Sequence, residues 1–194
     1  MTAPAAPQDP SMPASSKGWT ARLSLGFELR DGRTRLTRRR QRGPLTVQRA
    51  FYPEGEVCHL YLLHPPGGVV GGDQLHLEAQ LAGGSHALIT TPGATKFYRT
   101  SGAEALQRQV LRLSDGATLE WLPQENILFA GAGVSIATEV RLEPGARFLG
   151  WEIHCLGRPA IGERFSHGRA DFRLTLLRDG PLLCERLPVC GDQL

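Results

Sequence analysis

The sequence has little of what defines many functional classes. No apolar run in its 194 residues approaches the roughly 18 that a membrane-crossing helix requires, which argues against one. Lysine is nearly absent, two residues against 20 arginines. The four cysteines, at 58, 155, 184 and 190, form no C-x-x-C and have no preformed metal-ligand spacing. There is no Gly-Lys-Ser/Thr for a phosphate loop and no Gly-x-Ser-x-Gly for a serine nucleophile. Helical periodicity is sparse. The N-terminus, M-T-A-P-A-A-P-Q-D-P, lacks the basic and apolar stretches of a secretory signal. The expectation is a cytoplasmic protein with reduced thiols, at least two of the four acting as small buried apolar side chains.

Turns, by contrast, are abundant. Glycine (23) and proline (14) punctuate the chain, and hydrophobic residues at 41% suffice for one core. Residues 1–18 read as a Pro/Ala-rich flexible tail, and 19–194 as a single domain. Within it the period is two. Val57–Leu63, Leu75–Leu81, Ala87–Thr91, Leu106–Leu113, Ser135–Leu142, Arg147–His154 and Asp171–Leu177 read as strands. One turn form recurs at Leu81-Ala-Gly-Gly84, Leu113-Ser-Asp-Gly116, Leu142-Glu-Pro-Gly145 and Leu177-Arg-Asp-Gly180, with the final glycines 32, 29 and 35 residues apart. A period near thirty predicts stacked coils of strand, an all-β, β-helix-like fold with at most a few short helices; a β-sandwich is the alternative.

Charge is uneven. Between Lys17 and Arg49 ten basic residues face Glu28 and Asp31, while the rest of the chain is net acidic. The Arg33–Arg42 strip has no interleaved aromatics and no nucleic-acid motif, so it reads as a solvated edge or a contact for an acidic protein. The densest local pattern is His64-Pro65-Pro66-Gly67-Gly68-Val69-Val70-Gly71-Gly72-Asp73, an irregular backbone with few side chains, suited to a packing or partner contact. Gly131-Ala-Gly133 lacks the third glycine and the helix of a dinucleotide site. Two Cys-His pairs, Cys58-His59 and His154-Cys155, offer one ligand per strand face. Glu120, Glu125, Glu152 and Glu163 supply carboxylates whose pairing the sequence leaves open.

Four segments carry a resemblance. They are His64-P-P-G-G-V-V-G-G-Asp73-Q-Leu75, Thr90-T-P-G-A-T-Lys96-F-Tyr98-Arg99, Leu119-Glu120-W-L-P-Q-Glu125-N-Ile127 and Gly157-R-P-A-I-G-Glu163-R-Phe165-S-H-Gly168. In this order they resemble the urease accessory protein UreD (UreH) family. The resemblance implies a non-enzymatic scaffold of β-helical fold. It implies partners too: the urease apoprotein, a UreF-like helical protein and, through it, a UreG-like GTPase, for GTP-dependent insertion of nickel into the urease metallocentre. It also implies that nickel is handled transiently, with no tightly bound cofactor, no nucleic acid and no membrane. The family typically continues past Asp192, so a C-terminally shortened member is expected. Candidates for partner contact or a nickel route are Asp73, Lys96, Tyr98, Arg99, Glu120, Glu125 and Glu163, with Pro65, Pro66, Gly67, Gly68 and Gly72 as a structural loop. Carboxylates suit passage because oxygen ligands hold nickel more weakly than thiolate or imidazole; otherwise they are solvated or pair with Arg99, Arg158 or Arg164. The alternative functions are an inactive shortened UreD-like protein and a small β metal-binding protein.

Overall fold

The computed structural model describes residues 18–194; the expected tail, apart from Gly18, lies outside them. Among the described residues the regular structure is strand, with two single-turn 3-10 helices at Pro159–Ile161 and Gly191–Gln193. In chain order the first strands are β1 (Thr20–Arg30), β2 (Arg33–Arg42), β3 (Thr46–Val47), β4 (Cys58–Leu63), β5 (Gln74–Leu81), β6 (His86–Thr90), β7 (Thr95–Phe97) and β8 (Ala105–Leu113). There follow β9 (Thr118–Leu122), β10 (Asn126–Leu128), β11 (Gly133–Leu142), β12 (Arg147–Gly150), β13 (His154–Arg158), β14 (Glu163–Arg164), β15 (Arg169–Leu177) and β16 (Pro181–Cys190).

The chain winds as a three-faced solenoid. One face stacks β1, β5, β8, β11 and β15 in parallel, with β2 and β16 added antiparallel at the two edges. The second stacks β4, β6, β9 and β12, and the third β7, β10 and β13. The Gly-rich loop supplies the third face's first rung, since Val69 bridges Phe97 in parallel. Alternation explains the core. Leu25, Ala79, Leu111 and Val140 lie on one inward rung, Phe27, Leu81 and Leu113 on the next, all buried. Each such side chain contributes about 1.5–3 kcal/mol by leaving water.

The predicted turn repeat forms one corner. Ser85, Ala117 and Ala146 each donate a backbone N–H three residues back, at 3.0–3.1 Å, and successive turns are joined by Ser114 N–H to Leu81 and Glu143 N–H to Leu113, both 2.9 Å. The fourth copy departs from this. Asp179 (φ 51°) and Gly180 (φ 145°) reverse the chain into the β15–β16 hairpin instead of turning a corner. Arg147–His154, read as one strand, breaks at Gly150 and belongs to two faces. The basic strip is β2, a charged edge strand that discourages further pairing. Of the cysteines, all free, Cys58 alone is buried.

Candidate functional site

Asp73 closes the Gly-rich loop. Its Oδ1 accepts the Trp19 N–H at 3.2 Å and its Oδ2 the Val70 N–H at 3.1 Å, leaving the side chain buried. The loop is laced to its neighbours by Val69 N–H to Lys96 O (2.8 Å), Tyr98 N–H to Val69 O (2.9 Å) and Gly72 N–H to Glu104 O (3.0 Å). Glycine is required at two places. Gly72 has φ 87°, and a Cβ on Gly68 would stand 2.1 Å from the Tyr98 ring. Asp73 is thereby a structural residue, turned toward backbone amides.

A second group assembles on the third face. Tyr98 packs edge-on against Phe129 (centroids 4.9 Å apart), and the Arg158 guanidinium lies 4.3 Å from the centre of the same ring. Arg158 also pairs with Glu163, which holds that carboxyl below its usual range, the hydrogen bond being the largest cause. Arg99 runs beside Gly131, next to His167. Residues of the second and fourth matched segments, Tyr98, Arg99 and Glu163, thus share one surface patch. Glu120 stands elsewhere, on the outer side of β9, bonded to His86 Nε2 at 2.8 Å. Glu125 is half-buried, and its backbone carbonyl accepts from Thr95 at 2.9 Å.

Inside the solenoid lies a cavity of about 360 Å³. Its walls include Pro65, Gly67 and Gly68 of the loop, Lys96, and the start of β5 and β8. None of the carboxylates named as route candidates, Asp73, Glu120, Glu125 and Glu163, lines it. The acid that does is Glu152. On the inward rung where neighbouring coils carry Leu23 and Leu77, the chain places Gln109 and Thr138, both buried. The Thr138 hydroxyl lies at 2.6 Å from Gln109 Oε1 and also contacts Glu152. Burial pushes the Glu152 carboxyl above its usual range, with Thr138 working weakly against that. Beside it His154 stacks on Phe172 (3.7 Å, 14°), Nε2 3.9 Å from Glu152, and burial pulls its pKa to about 4. Asn126 completes the group, 3.4 Å from His154 Nδ1. Trp121 and His64, which also line the cavity, each carry a buried ring N–H or nitrogen without a protein partner.

This polar interior is what sequence reading missed. The signal was present but inverted: Trp151 and Ile153 are half-exposed while Glu152 and His154 between and after them point inward. Among the described residues no three His, Cys, Asp or Glu side chains converge as a metal cage. Glu152 and His154 form a pair only, with amide oxygens nearby.

A sequence model of the UreD urease accessory protein family matches residues 20–194. The chain belongs to the UreD family. It is 57% identical over 184 residues to a urease accessory protein UreD of Klebsiella pneumoniae, covering 94% of this chain and 67% of that protein. It is 56% identical to the UreD of Pseudomonas putida (91% and 64%) and 54% to that of Pseudomonas entomophila (94% and 66%). The chain spans about two thirds of the length of these curated relatives. UreD is an accessory family rather than an enzyme family, and its relatives are named for urease.

Proposed function

We propose that this chain acts as a non-enzymatic scaffold in urease maturation, in the cytoplasm, and that nickel crosses it as cargo through the solenoid interior. The urease apoprotein, a UreF-like helical protein and a UreG-like GTPase are the partners, the GTPase supplying the energy of insertion. The observation that carries this reading is the cavity with Glu152 at its polar wall. A transfer protein must release its ion, and carboxylate and amide oxygens grip nickel less than thiolates do. Burial raises the proton affinity of the Glu152 carboxyl, whereas a passing dication favours its charged form, so the two compete at this site. Neutral His154 fixes the site's shape through stacking and a contact to Asn126. Asp73, Tyr98, Arg99, Glu125 and Glu163 serve the loop and the outer surface, where partners bind.

The test is Glu152→Gln and Glu152→Leu in the full chain, co-expressed with urease and its accessory proteins. The expected result is loss of urease activation and of urease-bound nickel, with assembly of the accessory complex retained. Normal activation by both variants overturns the interior route. The metal-binding alternative gains no support from the pairwise ligand geometry.

A further inference from the structure

The outer side of the seven-stranded face carries a row of cationic side chains that the interior route does not use. Strand register places Arg42 beside Arg22, Arg22 beside His76 and His76 beside Arg108. Past Ala137 the row continues with Arg173 and Arg186. All five arginines are exposed. Strands lie about 4.8 Å apart, so the row crosses the whole face and is roughly 29 Å long. Asp171 engages its far end, bonding Arg173 and Arg186 at 2.5–2.9 Å. Arg22, Arg42 and Arg108 make no ion pair among the described residues. Parallel rungs add Arg38, Arg40, Arg112 and Arg141 to the same side. Arg38 confirms the direction, its Nη2 reaching Gln80 at 3.2 Å across Gly26. A concavity of about 280 Å³ opens between Arg22, Arg40, Arg42 and His76, with the single acid Glu78 at its wall. The His76 pKa is held down, mainly by burial and then by Arg22 and Arg108, with Glu78 acting against them.

We infer that this face is a docking surface for the acidic face of a partner protein, laid across the strands, with one carboxylate seated in the concavity between Arg22, Arg40 and Arg42. Like charges set side by side on neighbouring strands repel one another and destabilise the sheet, so an occupant of opposite charge relieves that cost on binding. The row's spacing matches carboxylates at i, i+3 and i+4 of a helix, 5–6 Å apart, and its length matches a helix of about twenty residues. A nucleic acid fits worse. No aromatic side chain stands on these rungs to stack a base. Arg22 and Arg42, unlike Arg108, lie outside the cavity's lining, so failure here and failure of the interior route are distinguishable.

The experiment uses the full chain and a labelled helical peptide of about twenty residues with glutamates at third and fourth positions, read by fluorescence anisotropy over a salt series. The comparator is single- and double-stranded DNA of equal charge. Arg22→Glu/Arg42→Glu should weaken peptide binding at least tenfold, by about 1.4 kcal/mol or more. Arg49→Glu/Arg147→Glu, which moves the same charge off the face, should change it less than about twofold, and Glu152→Gln should not change it. Equal loss in the on-face and off-face variants reduces the effect to net charge and overturns the proposal. DNA binding tighter than the peptide overturns it in favour of a nucleic acid. If the charge reversal unfolds the chain, Arg22→Gln/Arg42→Gln decides: wild-type affinity in a variant that melts like wild type also overturns it.

Discussion

Where β5, β8 and β11 end, their inward residues are Leu81, Leu113 and Leu142, and the stacked corner that follows adds Ala117, Leu119 and Ala146. Earlier along β8 and β11, past the apolar Ala105, Val134 and Ile136, the inward positions include Gln107, Gln109 and Thr138, and a cavity opens beside them. The backbone is the same at both ends: parallel rungs, one register, no break in the ladder. The difference lies in the side chains alone. Apolar rungs interdigitate and fill; polar rungs must keep their hydrogen-bond partners in place and leave space. One coil thus does two jobs, and a scaffold can hold a hollow interior because the packed corner supplies the stability that the hollow end does not.

The largest effect should come from the packed end. Leu113→Ala removes a side chain that is 2% exposed between Leu81 and Leu142. The expected loss is about 2–5 kcal/mol, including the cavity left behind, read by denaturant unfolding. A loss of the size seen at surface sites would mean that the corner is not the stabilising half.

The hollow end should show itself in acid. The folded pKa of His154, about 4, lies below the ordinary imidazole value of 6.5. As pH falls below 6.5 the unfolded chain takes up this proton and the folded chain does not, so stability drops until about pH 4 and no further. The full contribution is about 3 kcal/mol at roughly 1.4 kcal/mol per unit. Glu152, raised by burial, has the opposite sign: its contribution is present below the ordinary carboxylate range and is lost as pH rises through its own raised value. His154→Gln should therefore flatten the fall between pH 6.5 and 4 in a melting series. An unchanged slope would place the imidazole in water.

In the Gly-rich loop, Gly72→Val forces a β-branched residue to φ 87°, a cost of about 1–3 kcal/mol. Gly68→Val meets the Tyr98 ring instead, with an ordinary φ. Tyr98→Ala should rescue solubility of the second variant and not of the first, a comparison that separates strain from crowding.

Much of the packed end is legible from the chain. Leu-x-x-Gly at intervals near thirty encodes the corner, because the corner needs an apolar plug before it and a tight turn within it. The third face is not legible. β7 and β10 are three residues long, too short for alternation to register, and they form because the coils beside them fix their position. β2 was hidden by arginine, since an edge strand needs charge on its open side more than it needs β-formers. Glu152 and His154 were named from the sequence, as a carboxylate and as half of a Cys-His pair, but their proximity was not legible. It depends on the break at Gly150, after which Trp151 and Ile153 stand half-exposed. The four matched segments map to the loop and the outer patch, and the carboxylates Asp73, Glu120 and Glu163 within them cap a loop or face outward.

The smallest expected effect comes from Glu120, which sharpens the contrast by touching neither end. Its side chain lies on the outer surface of β9, a quarter exposed, and bonds His86 on the adjacent β6 rung at 2.8 Å. A cross-strand pair of this kind contributes about 1 kcal/mol or less. Glu120→Ala should lower stability by no more than that and leave urease activation at the wild-type level, whereas Glu152→Gln should abolish activation with the fold intact. The two variants remove one carboxylate each from neighbouring coils, so net charge and expression are matched. If Glu120→Ala blocks nickel delivery while Glu152→Gln does not, the ion travels over the outside of the solenoid, and the cavity is a by-product of polar rungs that could not close.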